Sequence, residues 1–348
     1  MRQHCLVSRA FRAPGRVNLI GEHTDYAGGL VLPAAVDRYV TVTGKPTNGA
    51  VRLASEGFPG TVEIGPDGSA ADETPGWGRY VAGVVAELAA LGRPPVGFEG
   101  WIRSDLPTAA GLSSSAALEV AAATALCAVA GFEPAPLELA EACRRAEHRA
   151  VGVPCGIMDQ AAAVLGRADH ALLLDCSTLE HQLVPLPADL ALVVIDSGVQ
   201  RRLEESGYAR RRHELERALA GEDDALLERR RRHFVTENER VGRVVTALGA
   251  GDREALGRLF AAGHASLRDD FEVSTPELDL LVELALEAGA VAARLTGGGF
   301  GGSILALADT PRAVEVAAAV AGAYAARAGR HAEALVCRAA DGASEVSA

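Results

Sequence analysis

The chain has 348 residues, 49% of them hydrophobic and 23% charged, with 38 glycines and 16 prolines. These are ordinary globular proportions that exclude collagen-like and mucin-like classes and leave room for two compact domains. A formal charge of -12 provides no global positive field for nucleic acid or an anionic membrane surface, so any phosphate has to be held locally. Lys45 is the only lysine, and its setting, TGKPT, is not a G-x-x-x-x-G-K-[ST] loop.

Six cysteines, at positions 5, 127, 143, 155, 176 and 337, form no C-x-x-C pair, which suggests neither a zinc ribbon nor a disulfide framework. The first residues lack the apolar stretch of a signal peptide, and no charge-free run of about 18 apolar residues follows. A reducing, cytoplasmic setting is the expectation.

In chain order, strand-like runs at 17–20 and 39–43 flank the turn-rich HTDYAGG at 23–29. Gly57–Gly78, dense in Gly, Pro, Asp and Glu, predicts an exposed connection, and the apolar spacing of Arg79–Leu91 predicts a helix. Residues 100–106 read as extended; PTAAGLSSSAALEVAAATALCAVAG then gives a turn, a serine cluster and a strong helix ending at Gly131. A second helix runs from Leu137 to about Val151 and leads through GVPCG into IMDQ and an apolar run.

ALLLDC and ALVVIDSG read as strands, and a polar link near residues 175–190 divides a lobe at 1–180 from one at 181–348. Helices are expected over Arg201–Leu219, about Asp224–Gly249, Arg253–Gly263 and Pro276–Gly289. The loop TGGGFGG at 296–302 follows a helix-like run and precedes the strand SILAL. Arg229–Arg232 reads as a solvated helix face.

The sharpest chemical pattern is GLSSSAALEV at 111–120. Small residues leading into a helix expose unpaired N–H groups and point the helix dipole at an approaching anion, while serine hydroxyls add donors or a Mg²⁺ ligand. The same letters also suit a plain N-cap serine. Glu147, on the next helix, would suit Mg²⁺ if it converges with Ser115, and is otherwise a surface residue. Asp159 is a carboxylate in apolar surroundings for which Arg16 could be the partner, poised to orient or deprotonate a substrate hydroxyl; the alternative is a helix N-cap. Glu22, His23 and Asp25 crowd two acids and an imidazole into one turn, a density suited to sugar hydroxyls, with too few spaced His or Cys residues for a metal cluster. The glycine loop permits close backbone approach but is not a dinucleotide fingerprint.

Taken together, these motifs resemble the galactokinases of the GHMP small-molecule kinase family over nearly the whole chain. The resemblance rests on APGRVNLIGEHTDYAGGLVLP, the phosphate loop at Pro107–Ala117, Gly152–Gln160 and Thr296–Gly302. HFVTENERV at 233–241 and SLRDDFEVSTPELDLLVE at 266–283 extend it. It implies an α+β, two-lobed fold, with an N-terminal lobe like ribosomal protein S5 domain 2, a C-terminal α+β lobe and the active site between them. It implies transfer of the ATP γ-phosphoryl group to the C1 hydroxyl of α-D-galactose, with Asp159 and Arg16 as the catalytic pair. Glu22, His23, Asp25, Gly156 and Tyr208 would bind the sugar beside Asp159, Gly111, Leu112, Ser113, Ser114, Ser115 and Ala116 would bind ATP, and Ser115 and Glu147 would hold Mg²⁺.

The expected partners are therefore small molecules rather than nucleic acid or membrane, and the expected state is a monomer. The chain departs from the family pattern at Ala109, where Gly is usual, at Ser303, where Cys is usual, and at Asp196 and Arg202, where many relatives carry Asn and His. Alternative readings are a related sugar 1-kinase acting on galacturonate, L-arabinose or N-acetylgalactosamine, and a non-catalytic galactose and ATP sensor.

Overall fold

The computed structural model describes residues 8–107, 111–152, 155–199 and 204–347. The chain opens with β1 (Arg9–Asn18), a short 3-10 turn at Asp25–Ala27, β2 (Leu30–Val31) and the long β3 (Pro33–Asn48). There follow β4 (Val51–Ser55), β5 (Phe58–Ile64), α1 (Gly76–Ala90), β6 (Val96–Ser104), α2 (Ser114–Ala130), α3 (Pro136–Val151) and α4 (Met158–Leu165). The middle holds β7 (His170–Asp175), β8 (His181–Pro185), β9 (Leu190–Asp196), α5 (Glu204–Leu219), α6 (Ala225–Ala250), α7 (Arg253–Asp269) and α8 (Pro276–Glu287). Last come β10 (Ala292–Thr296), β11 (Ser303–Asp309), α9 (Ala313–Ala328), β12 (Glu333–Cys337) and β13 (Ser344–Val346).

The strands form a six-stranded sheet in the order β13-β1-β3-β6-β4-β5, a four-stranded sheet β10-β11-β9-β12 and a three-stranded sheet β2-β7-β8. In the first sheet β4 and β6 run parallel and the other neighbours antiparallel. The α+β class expected from the sequence is found. The central element beneath the sheet is α2, alanine-rich and buried along most of its length, as a helix apolar on every side must be. Gly131 ends it in the left-handed conformation, at φ 62°. By contrast α3 buries Ala140, Cys143 and Ala146, a three-residue spacing that turns one face inward and leaves its charges outside.

In the second lobe α8 and α9 pack Leu278, Leu281, Val316 and Tyr324 on the four-stranded sheet. Helices α6 and α7 join the lobes, because Val241, Val244, Leu256 and Phe260 share one apolar core with Phe11, Val42 and Phe98 of the large sheet. Among the described residues no helix is long and apolar enough to cross a membrane.

Four local expectations change. Residues 58–64, within the expected connection, form β5, because Val62 and Ile64 alternate into the core behind an exposed Gly/Pro face. The expected link at 175–190 contains β8, which pairs with β7, and the chain's last strand, β13, returns to pair with β1 in the first sheet. The helix-like run before the glycine loop ends at Glu287, so the loop connects two antiparallel strands, β10 and β11.

The fourth change is Arg229–Arg232, where Arg232 is exposed but Arg230 is not part of a solvated face. Arg230 is fully buried; its Nε donates to Glu214 at 2.8 Å, its Nη2 to Glu272 at 2.6 Å, and its Nη1 to the Asp270 carbonyl. Arg229 also reaches Glu272, and Arg232 reaches Asp270, so the run ties α5 and α6 to the 269–272 turn. Removing a buried cation strands its acids, so Arg230→Met is expected to lower unfolding free energy by about 3 kcal/mol in urea titration, and a loss under about 1 kcal/mol would contradict this account.

Candidate active site

The pairing register of β1 with β3 shifts between Pro14 and Arg16, and the Arg16 amide leaves the sheet to donate to the Leu112 carbonyl at 3.0 Å. The buried Arg16 guanidinium meets Asp159 in a two-pronged contact, Nε to Oδ1 at 2.6 Å and Nη2 to Oδ2 at 2.8 Å, while Nη1 donates to the Gly111 carbonyl at 2.7 Å. Asp159 lies in the first turn of α4 and does not cap it. A third donor, the Ser113 hydroxyl, reaches Oδ2 at 2.5 Å. Ser113 therefore does not act as a plain helix cap: its φ is 56°, its side chain bonds no helix N–H, and its hydroxyl serves Asp159.

Ser114, Ser115 and Ala116 form the first turn of α2, with N–H groups that have no partner within the helix, and Ser114 and Ser115 line a cavity that Arg16, Ser113 and Asp159 also line. Ser115 and Glu147 converge, hydroxyl to Oε1 at 2.9 Å, so Glu147 is not a free surface residue. Its other oxygen accepts from the Gln160 amide at 2.6 Å and from the Cys155 thiol at 3.3 Å. The same Gln160 nitrogen donates at 3.0 Å to Glu119, whose carboxyl is pushed well up by burial and then by Glu147.

Glu119, Gln160 and Cys155 escaped the sequence reading. The available signal was spacing, since Ser115 and Glu119 stand four apart on one helix face. A hydroxyl and a carboxylate beside an anion-binding helix start form an all-oxygen donor pair that fits Mg²⁺, which takes few protein ligands and brings waters and phosphate. Among the described residues there is no cluster of three or more His, Cys, Asp or Glu that would hold a metal unaided.

Glu22, His23, Asp25, Gly156 and Tyr208 meet at the other end of this cavity of about 650 Å³, joined by Gly297–Phe300 of the glycine loop. The carboxyl of Glu22 is pushed up to about 7 by burial, against the pull of Arg294, and that of Asp25 to about 6 by burial and then by Asp159. Both ring nitrogens of His23 face the protein: Nε2 lies 3.1 Å from the Gly298 carbonyl and Nδ1 3.1 Å from the Tyr26 hydroxyl. A carbonyl only accepts, so Nε2 carries the proton. The Tyr208 ring lies 5.4 Å from that imidazole.

Arg16 is the one arginine among the described residues on the cavity wall. Ala109 and Arg202 lie outside the described residues. Asp196 and Ser303 stand opposite each other where β9 pairs with β11, and neither is on the described cavity wall.

This geometry sets the comparisons in place. Residues 79–167 match the model of the GHMP kinases N terminal domain and residues 244–326 that of the GHMP kinases C terminal, which defines the class as a two-lobed small-molecule kinase fold. Residues 5–46 match the galactokinase galactose-binding signature. A galactokinase of Chloroflexus aurantiacus is 44% identical over 98% of this chain and 94% of its own length. The crystal structure of Lactococcus lactis galactokinase complexed with galactose superposes with a TM-score of 0.91 at 35% identity, covering 97% of this chain and 95% of that one. A mevalonate kinase crystal structure, at 18% identity and a TM-score of 0.70 over 94% of this chain and 98% of its own, shares the fold. The chain belongs to the galactokinase family.

Gly156 has a steric reason to be glycine: a Cβ there would stand 1.9 Å from Asp25 Oδ2. Gly156→Ala is therefore expected to displace the Asp25 carboxylate and cost about 1–3 kcal/mol of stability, as overpacking does. A crystal structure of the variant with Asp25 unmoved and unchanged melting would contradict that.

Proposed function

We propose that the protein transfers the γ-phosphoryl group of ATP to the C1 hydroxyl of α-D-galactose, giving galactose 1-phosphate and ADP, with Mg²⁺. The reading is supported by the carboxylate of Asp159, held by Arg16 and Ser113 between the helix start of α2 and the acid-lined end of the cavity. A carboxylate offers about four acceptor sites. Arg16 and Ser113 take three, which leaves one for the sugar hydroxyl.

Asp159 orients that hydroxyl in line with the γ-phosphorus and takes its proton as the new O–P bond forms and the bond to the ADP oxygen breaks. The first turn of α2, with the backbone from Gly111 to Ala116, receives the phosphates, and Ser115 with Glu147 would hold the metal, which would supply positive charge against the phosphoryl oxygens. Glu22 and Asp25 accept from the outer hydroxyls of the sugar, Gly156 leaves Asp25 its place, and His23 and Tyr208 form the wall. The protein acts as a monomer on small molecules in the cytoplasm.

Among the alternative sugars, galacturonate fits poorly, because its carboxylate would face Glu22 and Asp25 near a single arginine already paired with Asp159. The test is ADP release with ATP and Mg²⁺ on D-galactose, D-glucose, D-galacturonate, L-arabinose and N-acetylgalactosamine. Strong release with D-galactose alone, abolished by chelating the metal, is expected. Equal turnover of glucose, or turnover that survives chelation, would contradict the assignment.

A further inference from the structure

Behind the sugar end of the cavity lies a second ionic cluster, of which Glu22 is the member on the described cavity wall. Arg294, on β10 and fully buried, donates from Nη2 to Glu22 Oε2 at 2.5 Å and to Glu237 Oε1 at 2.7 Å. Glu237, on α6 and fully buried, also accepts from the Gly21 amide at 3.0 Å and from Arg240 Nε at 2.8 Å. The space for the guanidinium is built in by α7: a Cβ on Gly263 would stand 2.6 Å from Arg294 Nη1. Arg294 itself is not on the cavity wall, whereas Glu22 is. Of the two Glu22 oxygens, Oε2 is committed to Arg294, and Oε1 accepts from the Gly297 amide at a long 3.4 Å, with the Asn18 side chain also beside the carboxylate.

We infer that Arg294 is a positioning residue for sugar recognition, fixing the Glu22 carboxylate as an acceptor at the cavity wall without touching the sugar. This rests on the reading of Glu22 as a sugar ligand given above. Two acids and two arginines balance the cluster, but Arg240 pairs with Glu237, so losing Arg294 leaves Glu22 buried with no cation paired to it among the described residues. Burial already raises the Glu22 carboxyl to about 7, and Glu237 opposes its ionisation while Arg294 favours it.

The other titratable groups facing this point hold their state near neutral pH. His233 on α6, whose Nε2 meets the Glu22 carbonyl, is pushed down to about 4 by burial, as is His264 on α7 beside Asp279 of α8. Glu237 is held at about 2, because Arg294, His233 and Arg240 outweigh its burial. Glu22 is then the group of the cluster that changes charge near pH 7, and sugar affinity falls as pH drops through its titration.

The experiment is galactose affinity by calorimetry from about pH 6 to about pH 9, with the Michaelis constant for ATP and thermal melting, on wild type, R294M, R294K, E22Q and the E22Q/R294M double variant. The expected result is about tenfold weaker galactose binding in R294M near neutral pH, largely regained at the alkaline end, with ATP unaffected and R294K within about threefold of wild type. E22Q should lose affinity and keep only the fall that Asp25, raised to about 6, contributes at the acid end, and adding R294M to it should cost under about threefold more. The inference is overturned by wild-type affinity in R294M across the range, or by a pH-independent loss of both ligands that R294K does not rescue. If R294M does not fold, R294K and E22Q decide: a wild-type fall in affinity between about pH 8 and about pH 7, above the range in which Asp25 titrates, that persists in E22Q overturns it. Absence of galactose binding by the wild-type chain would instead overturn the sugar reading, and this inference with it.

Discussion

The active site depends on one buried contact, the two-pronged pair of Arg16 with Asp159. Arg16 is the point where three segments meet: its side chain takes the acid of α4 and the carbonyl of Gly111, and its backbone amide takes the carbonyl of Leu112. The strand, the loop before α2 and the start of α4 are thus held in one register by a residue only 6% exposed. A guanidinium does this where an ammonium would not, because its planar fork serves both carboxylate oxygens and still has a donor for a carbonyl.

The two ends of the cavity have opposite chemistry. At the α2 end helix N–H groups and serine hydroxyls donate to an anion and the Ser115–Glu147 oxygens suit a cation, which together replace the lysine that this composition does not supply there. At the sugar end the offering is acceptors, Glu22 and Asp25, whose carboxyls are raised to about 7 and 6. Buried acceptors suit uncharged hydroxyls and penalise anions, so an acidic protein keeps its substrate phosphates at one end and a neutral polyol at the other.

Local signals were legible in the sequence; of the distant pairings, Arg16 with Asp159 and Ser115 with Glu147 were open as conditional partners and are found, and the others were not legible. The turn carrying Glu22, His23 and Asp25, the serine cluster opening a helix that stops at Gly131, and the acid in GIMDQ are each written within a few consecutive residues. Their convergence is not: Ser113 meets Asp159 across 46 positions and Arg294 meets Glu22 across 272, and no local period encodes either. The same limit explains the misreading of Arg229–Arg232, where a charge run looks solvated until Glu214 and Glu272 are folded against it. It also explains β5, whose glycine and proline mask an alternation that only the neighbouring β4 completes. The imidazole of His23 was read as a sugar ligand from its polar turn, and the fold gives both its nitrogens protein neighbours.

The claim that the Arg16-held carboxylate drives phosphoryl transfer is tested most directly by Asp159→Asn, measuring turnover on D-galactose together with galactose affinity by calorimetry. The account requires turnover to fall by at least about 10²-fold while the sugar affinity stays within a few fold, because orientation and proton acceptance are lost and the outer hydroxyl contacts remain. Near-normal turnover in a folded Asp159→Asn enzyme would contradict it.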